Sequence, residues 1–381
     1  MQSLSESELL QLVQAVFPTL PNDRYLTLLA DIPNNPQDDH DDWKVRRQLA
    51  YDWYRKLSIH KEALNLEGVR LCAYASVDSN NADLPEYGFV YDKSLPPVSN
   101  ELIGDKWRFN TIFNNTQLFL APTQFSTTAP LKVAAKQYGF RAATMPGFSP
   151  KMIPALRIDY ELVNQRCQFM KTKLDAATGA SVQFRIEERN YDMFFDLRYR
   201  LGHASGGRFP EPGTAGNLPS GETYIVPYEG EKGTVSTTTG ELPVQFDEEI
   251  VVFEIQNNRA VGVLSSGVHS QKQAEYLQRE PSYGNMAELG FGILSDFGLQ
   301  PIGQILLDEK LGFHIAFGRS DHFGGAVGPG NFSSPKAVVH IDRIYIPKTQ
   351  SKIRIKHIDL EYKDGATERI MQDDSYLVFS E

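Results

Sequence analysis

Tyr25-Leu-Thr-Leu-Leu-Ala-Asp31 decides the fold class: it is short, apolar and bounded by polar turns, which suits a buried strand. On its amino-terminal side, Ser5-x-x-Glu8 forms a capping box. Leu9, Leu10, Leu12, Val13, Val16 and Phe17 follow at helical spacing, so a helix is expected over about 6–17. On its other side, the loop Pro33–Asp42 leads into helical periodicity over Trp43–Leu57 and a second strand at Gly68-Val-Arg-Leu-Cys-Ala-Tyr-Ala75. A third strand at Thr116–Pro122, a Ser/Thr-rich loop, a helix at Ala129–Tyr138 and a fourth strand at Phe140–Met145 continue the alternation. Strands alternating with helices of this length predict an α/β layer with a mostly parallel sheet.

A long helix over Ile158–Leu174 leaves that layer, and from about Ala180 the hydrophobic period shifts toward two. Val182–Glu187, Met193–Arg198, Tyr224–Val226, Gln245–Gln256, Ala260–Leu264, Phe313–Phe317, Ala337–Ile346, Ile353–Tyr362 and Tyr376–Phe379 read as strands. The only helix expected among them is a short one at Gln271–Arg279. The expected organisation is an amino-terminal α/β domain over 1–175 and a β-rich, mostly-β domain over 176–381, with the boundary inside Met170–Ala180. No internal repeat or low-complexity tract is visible.

Composition removes several function classes. The 381 residues carry 38 basic and 48 acidic side chains, a formal charge of −10 with no basic stretch, which argues against a nucleic-acid partner. No apolar run approaches the roughly 18 residues of a membrane span. The first residues offer neither a basic nor an apolar signal region, so a cytoplasmic protein is expected. Two cysteines, Cys72 and Cys167, cannot build a disulfide framework or a thiolate zinc site. Any metal would need His and carboxylate ligands.

Asp38-Asp39-His40-Asp41-Asp42 groups potential ligands, but neighbours in sequence point apart, and carboxylates ahead of a helix complement its positive end. No G-x-G-x-x-G or G-x-x-x-x-G-K-[ST] follows a strand. The second half is richer. Glu222 follows the Gly/Pro loop Gly216–Gly221 at the start of a strand, and Glu288 stands in the apolar, Gly-rich Ala287–Gly290. His314 lies inside Phe313–Phe317, and His340-Ile-Asp342 puts two polar side chains on one strand face. Two histidines and three carboxylates on strands suit one or two divalent ions such as Zn, Mn, Co or Fe. A strand histidine is more often a hydrogen-bonded core residue, and no local metal motif such as H-E-x-x-H occurs.

Four blocks give the second half a resemblance: GNLPSGETYIVP (216–227), AELGFGI (287–293), LLDEKLGFHIAFG (306–318) and VVHID (338–342). In order and spacing they resemble the thermophilic metallopeptidase family typified by aminopeptidases T and S, best over about 175–345. The resemblance implies a homodimeric, metal-dependent aminopeptidase that removes N-terminal residues from peptides. It implies a binuclear centre held by Glu222, Glu288, His314, His340 and Asp342, with two divalent ions (Zn, Co or Mn). Glu222 would combine ligation with base character, and Glu288 would bridge.

Two positions depart from the family. Gly221 replaces the first of two consecutive acidic residues, and Asp321 and His322 stand where a functional tyrosine is expected. His322, or Arg319, is then the expected hydrogen-bond donor to an oxyanion, with metal binding the other role open to His322. Gly324, Gly325, Gly328 and Gly330 suggest a flexible loop beside the metals, or an ordinary surface turn.

The chain is also similar to ring-cleaving dihydroxypyridine dioxygenases, which use one non-haem iron held by two histidines and a carboxylate. There a histidine is expected in place of Glu288. A non-catalytic metal-binding homologue is the third reading.

Overall fold

The structure, a computed structural model, describes residues 3–379. The chain forms two compact units. One takes the chain up to Asn164 together with Ser205–Ser220 and Ile302–Leu307. The other takes Gln165–Ala204, Gly221–Pro301 and the chain from Asp308 onward.

The first unit is built on a seven-stranded sheet. Ala215–Asn217, Arg141–Thr144, Leu118–Ala121, Tyr25–Ile32 and Gly68–Ala75 run parallel in that order. The antiparallel strands Tyr87–Tyr91 and Asp105–Arg108 close one edge. The central strand Tyr25–Ile32 is buried at every position after its first, as a strand covered on both faces must be. Helices Glu6–Val16, Asp41–Ile59, Phe109–Asn114 and Thr128–Tyr138 belong to the same unit, and the first carries the expected reciprocal Ser5–Glu8 cap. The mostly parallel α/β layer is therefore present. The two edge strands were not legible as strands, because their sequence is short, mixed and partly exposed.

The acidic run resolves into separate jobs. Asp41 and Asp42 occupy the first turn of Asp41–Ile59, whereas Asp39 makes a two-pronged ion pair with Arg47 at 2.8 and 2.9 Å.

The second unit holds a long antiparallel sheet. It runs Arg259–Val263, Glu249–Gln256, Thr239–Phe246, Arg189–Asp196, Ala177–Ile186, Arg354–Tyr362, Thr367–Gln372 and Ser375–Tyr376. The expected single strand Gln245–Gln256 is corrected here. It contains a hairpin turn, with Phe246 paired to Glu249 across Asp247 and Glu248 and Asp247 at φ +50°. Helix Val268–Arg279 starts three residues earlier than expected. Four consecutive strands of a second, five-stranded sheet carry the site: His340–Ile344, Phe313–Gly318, Met286–Gly292 and Glu222–Ile225. Met286–Gly292 is buried along its whole length. No helix among the described residues is long and apolar enough to cross a membrane.

Candidate metal centre

Antiparallel pairing puts residues directly opposite one another on the same sheet face, and the period of two repeats the placement along each strand. Glu222 pairs with Gly292 and Tyr224 with Gly290, while Gly290 pairs in turn with His314. Glu288 pairs with Ala316, Ala316 with Asp342, and Gly318 with His340. One face therefore presents Glu222, Tyr224, Glu288, His314, His340 and Asp342, separated by Gly290, Gly292, Ala316 and Gly318. The small residues form a basin. A Cβ on Gly290 would lie 2.0 Å from His314 Nε2, and one on Gly318 would lie 2.3 Å from the Val339 carbonyl oxygen.

All five candidate ligands meet on this face. His314 Nε2 lies 3.6 Å from Glu222 Oε2 and 3.4 Å from Glu288 Oε1. His340 Nε2 lies 3.2 Å from Glu288 Oε2 and 3.6 Å from Asp342 Oδ1. Ligand-competent atoms converge in two groups, Glu222–Glu288–His314 and Glu288–His340–Asp342, with atoms inside each group within 4.8 Å of one another. Glu288 belongs to both, one oxygen toward each imidazole.

Two observations test whether a cation fits. His314 Nδ1 faces the Gly312 carbonyl at 3.2 Å, and His340 Nδ1 faces the Arg319 carbonyl at 2.7 Å. A carbonyl only accepts, so each Nδ1 carries a proton, and a metal that displaced the second proton would meet the lone pair of each Nε2. Among the described residues, Glu222 Oε2 is buried with no hydrogen-bond partner, a costly arrangement for a carboxylate oxygen unless a cation meets it. The residues fit a divalent ion.

The electrostatics agree. Glu222, Glu288 and His314 are only 6 %, 4 % and 1 % exposed, and His340 and Asp342 are half-buried. Burial opposes charge on Glu288, but His314 and His340 hold its carboxyl well below the usual range. Burial likewise opposes charge on His314, and Glu288 then Glu222 carry it up to about 9. The carboxylates demand positive charge here, which protons or metal ions can supply.

Two neighbours escaped the sequence reading. Lys310, 1 % exposed, places Nζ 2.5 Å from Glu222 Oε1 and 2.5 Å from Glu309 Oε1. Burial pushes Glu309 up to about 8. Both residues lie within the 306–318 block, but no spacing marked them. Tyr224 shares the face and packs at 4.7 Å on Phe323, whose ring lies 5.4 Å from His340.

His322 is not in either ligand group. Its ring stands edge-on, 5.2 Å from that of His340, on a short 3-10 turn. Its side chain is 35 % exposed, yet partial desolvation and the nearby His340 and Arg319 charges lower its pKa, so it is neutral near pH 7. Arg319 turns its guanidinium to Asp321 at 2.5 Å. The glycine loop beyond them is pinned. Glu229 accepts from Ser320 Oγ at 2.5 Å, from Asn285 Nδ2 at 2.7 Å and from the Ala326 amide. Gly221 stands at φ +153°, where an L side chain is strained and glycine is not.

The sequence matches no protein-family model and no curated protein. Solved structures do share the fold. The 2,5-dihydroxypyridine dioxygenase of Pseudomonas putida aligns with a TM-score of 0.58 at 15% identity, covering 98% of each chain. Wild-type AmpT of Thermus thermophilus aligns with a TM-score of 0.53 at 13% identity, again covering 98% of each chain. The mixed α/β and β-rich architecture is thus one found in known enzymes, and either chemistry is compatible with it.

Proposed function

We propose that this chain is a metal-dependent aminopeptidase that takes two divalent ions (Zn, Co or Mn). The observation that carries the reading is the division of ligands into two groups sharing Glu288, each with one imidazole. A single iron held by two histidines and one carboxylate would call for both imidazoles in one group. A divalent pair supplies Lewis acidity toward a peptide carbonyl and acidifies water.

The chain's own residues do the rest. Glu222 offers Oε2 to the centre while Lys310 holds Oε1, so its base character resides in the first oxygen alone. Neutral His322, whose ring lies 5.2 Å from that of His340, would donate an N–H to a developing oxyanion in the role that the resembled peptidases give a tyrosine. The family resemblance extends the proposal to a homodimer acting on peptides.

The likeness to the P. putida dioxygenase supports a second reading, a single iron and ring cleavage. Metal content and turnover separate the two. The aminopeptidase reading expects two zinc, cobalt or manganese ions per chain and chelator-sensitive release of N-terminal residues from aminoacyl-nitroanilides and dipeptides. One iron per chain with oxygen consumption on 2,5-dihydroxypyridine would sink it in favour of the second. Metal binding without either activity would leave a non-catalytic homologue.

A further inference from the structure

The two ligand groups are not chemically equal. In the Glu222 group, one carboxylate oxygen is already taken: Lys310 Nζ sits 2.5 Å from Glu222 Oε1. That ammonium is buried and is held from its other side by Glu309 at 2.5 Å. It cannot swing into solvent without leaving the buried Glu222 carboxylate uncompensated, while Glu309, which burial keeps largely protonated near pH 7, does not cancel its charge. Only Glu222 Oε2 faces His314. The other group differs. Among the described residues, the ion pairs of Glu288 and Asp342 are with histidines alone, and no lysine or arginine reaches either.

We propose that Lys310 makes the two half-sites unequal, so that Glu288–His340–Asp342 takes its ion first and Glu222–Glu288–His314 takes the second more weakly. The inference rests on the two-ion reading above and deepens it. The physical cause is a fixed unit charge next to one half-site. In a poorly solvated setting its repulsion of an incoming dication is little screened. Lys310 also withholds one oxygen of Glu222, which leaves that carboxylate a one-oxygen ligand. His340 and Asp342 are half-buried, whereas Glu222 and His314 are closed off, so the stronger half-site is also the more accessible one. At limiting metal the chain would hold one ion, beside His340. Lys310 is in this account a positioning residue, acting through Glu222.

Zinc titration of the metal-stripped chain by calorimetry, with zinc content measured after dialysis, tests the order without relying on turnover. The wild type should bind in two steps whose dissociation constants differ by about tenfold or more. His314→Gln should keep the tight step and lose the weak one, and His340→Gln should lose the tight step. Lys310→Met should tighten the weak step by about tenfold, narrowing the gap. Two equal steps in the wild type would overturn the inference while leaving the two-ion reading intact. So would a Lys310→Met protein whose gap is unchanged or wider. If Lys310→Met does not fold, the histidine variants decide alone, and survival of the weak step in His314→Gln overturns the proposed order. Absence of zinc binding in the wild type would overturn the two-ion reading and this inference together.

Discussion

A methyl group at Gly290 would place its carbon 2.0 Å from Nε2 of His314, inside any van der Waals contact, because the imidazole lies across the glycine of the neighbouring strand. The displaced atom is the one that would bind metal. Gly290→Ala should therefore cost the Glu222–Glu288–His314 half-site its ion, with an overpacking penalty of about 1–3 kcal/mol in stability. Zinc content falling from two to one per chain, with an unchanged far-ultraviolet spectrum, is the expected result. Full zinc content in this variant would show that His314 does not ligate from its present position. The same geometry explains why Gly290, Gly292, Ala316 and Gly318 matter to the site as much as the ligands do: they leave the room in which larger side chains converge.

At the scale of the element, the central strand Tyr25–Ile32 shows both what its sequence declared and what it concealed. Its apolar run and flanking helices reported a strand covered on both faces. They did not report the load on Asp31, which is buried while accepting the Gln124 and Phe125 amides at 2.8 and 3.1 Å. Burial raises its pKa to about 6 from an ordinary 3.8, although those amides and Arg46 pull the other way. A raised folded value means the unfolded chain ionises first. The contribution of this group to stability is then largest below about pH 4 and is lost as pH rises through 6. Asp31→Asn removes the titration, so its melting temperature should gain on the wild type between pH 4 and 7. A difference independent of pH, or a slope of opposite sign, would refute this assignment. The site strands were legible in a similar, partial way. Alternation exposed His340 and Asp342 as one face, but Met286–Gly292, buried throughout, has no alternation to read. The meeting of Glu222, Glu288, His314 and His340 comes from strand pairing, which no local spacing encodes. Lys310 and Glu229 were invisible for the same reason. Each earns its place through partners far along the chain, Lys310 through Glu222 at a separation of 88 residues and Glu229 through Ser320 at 91.

For the whole molecule, a net charge of −10 is only partly a surface property. Three carboxylates, on Glu222, Glu288 and Asp342, and the largely protonated Glu309 crowd around Lys310, His314 and His340 in and beside one buried site. Two bound dications would bring the formal total to −10 + 4 = −6 and would bind the folded chain alone, since the unfolded chain cannot assemble ligands from four separate strands. Stability should consequently follow metal concentration. At a hundredfold excess over Kd, one ion contributes about 2.7 kcal/mol, enough to move Tm by several degrees in a unit of this size. Adding a chelator should lower the wild-type Tm by that amount. Glu288→Gln weakens both half-sites at their shared ligand and should show little response to the same treatment. Thermal melts of the two proteins with and without chelator make the comparison. An equal chelator response in both would mean that the stabilising ion sits elsewhere, because a carboxylate shared by both ligand groups cannot be altered without weakening each.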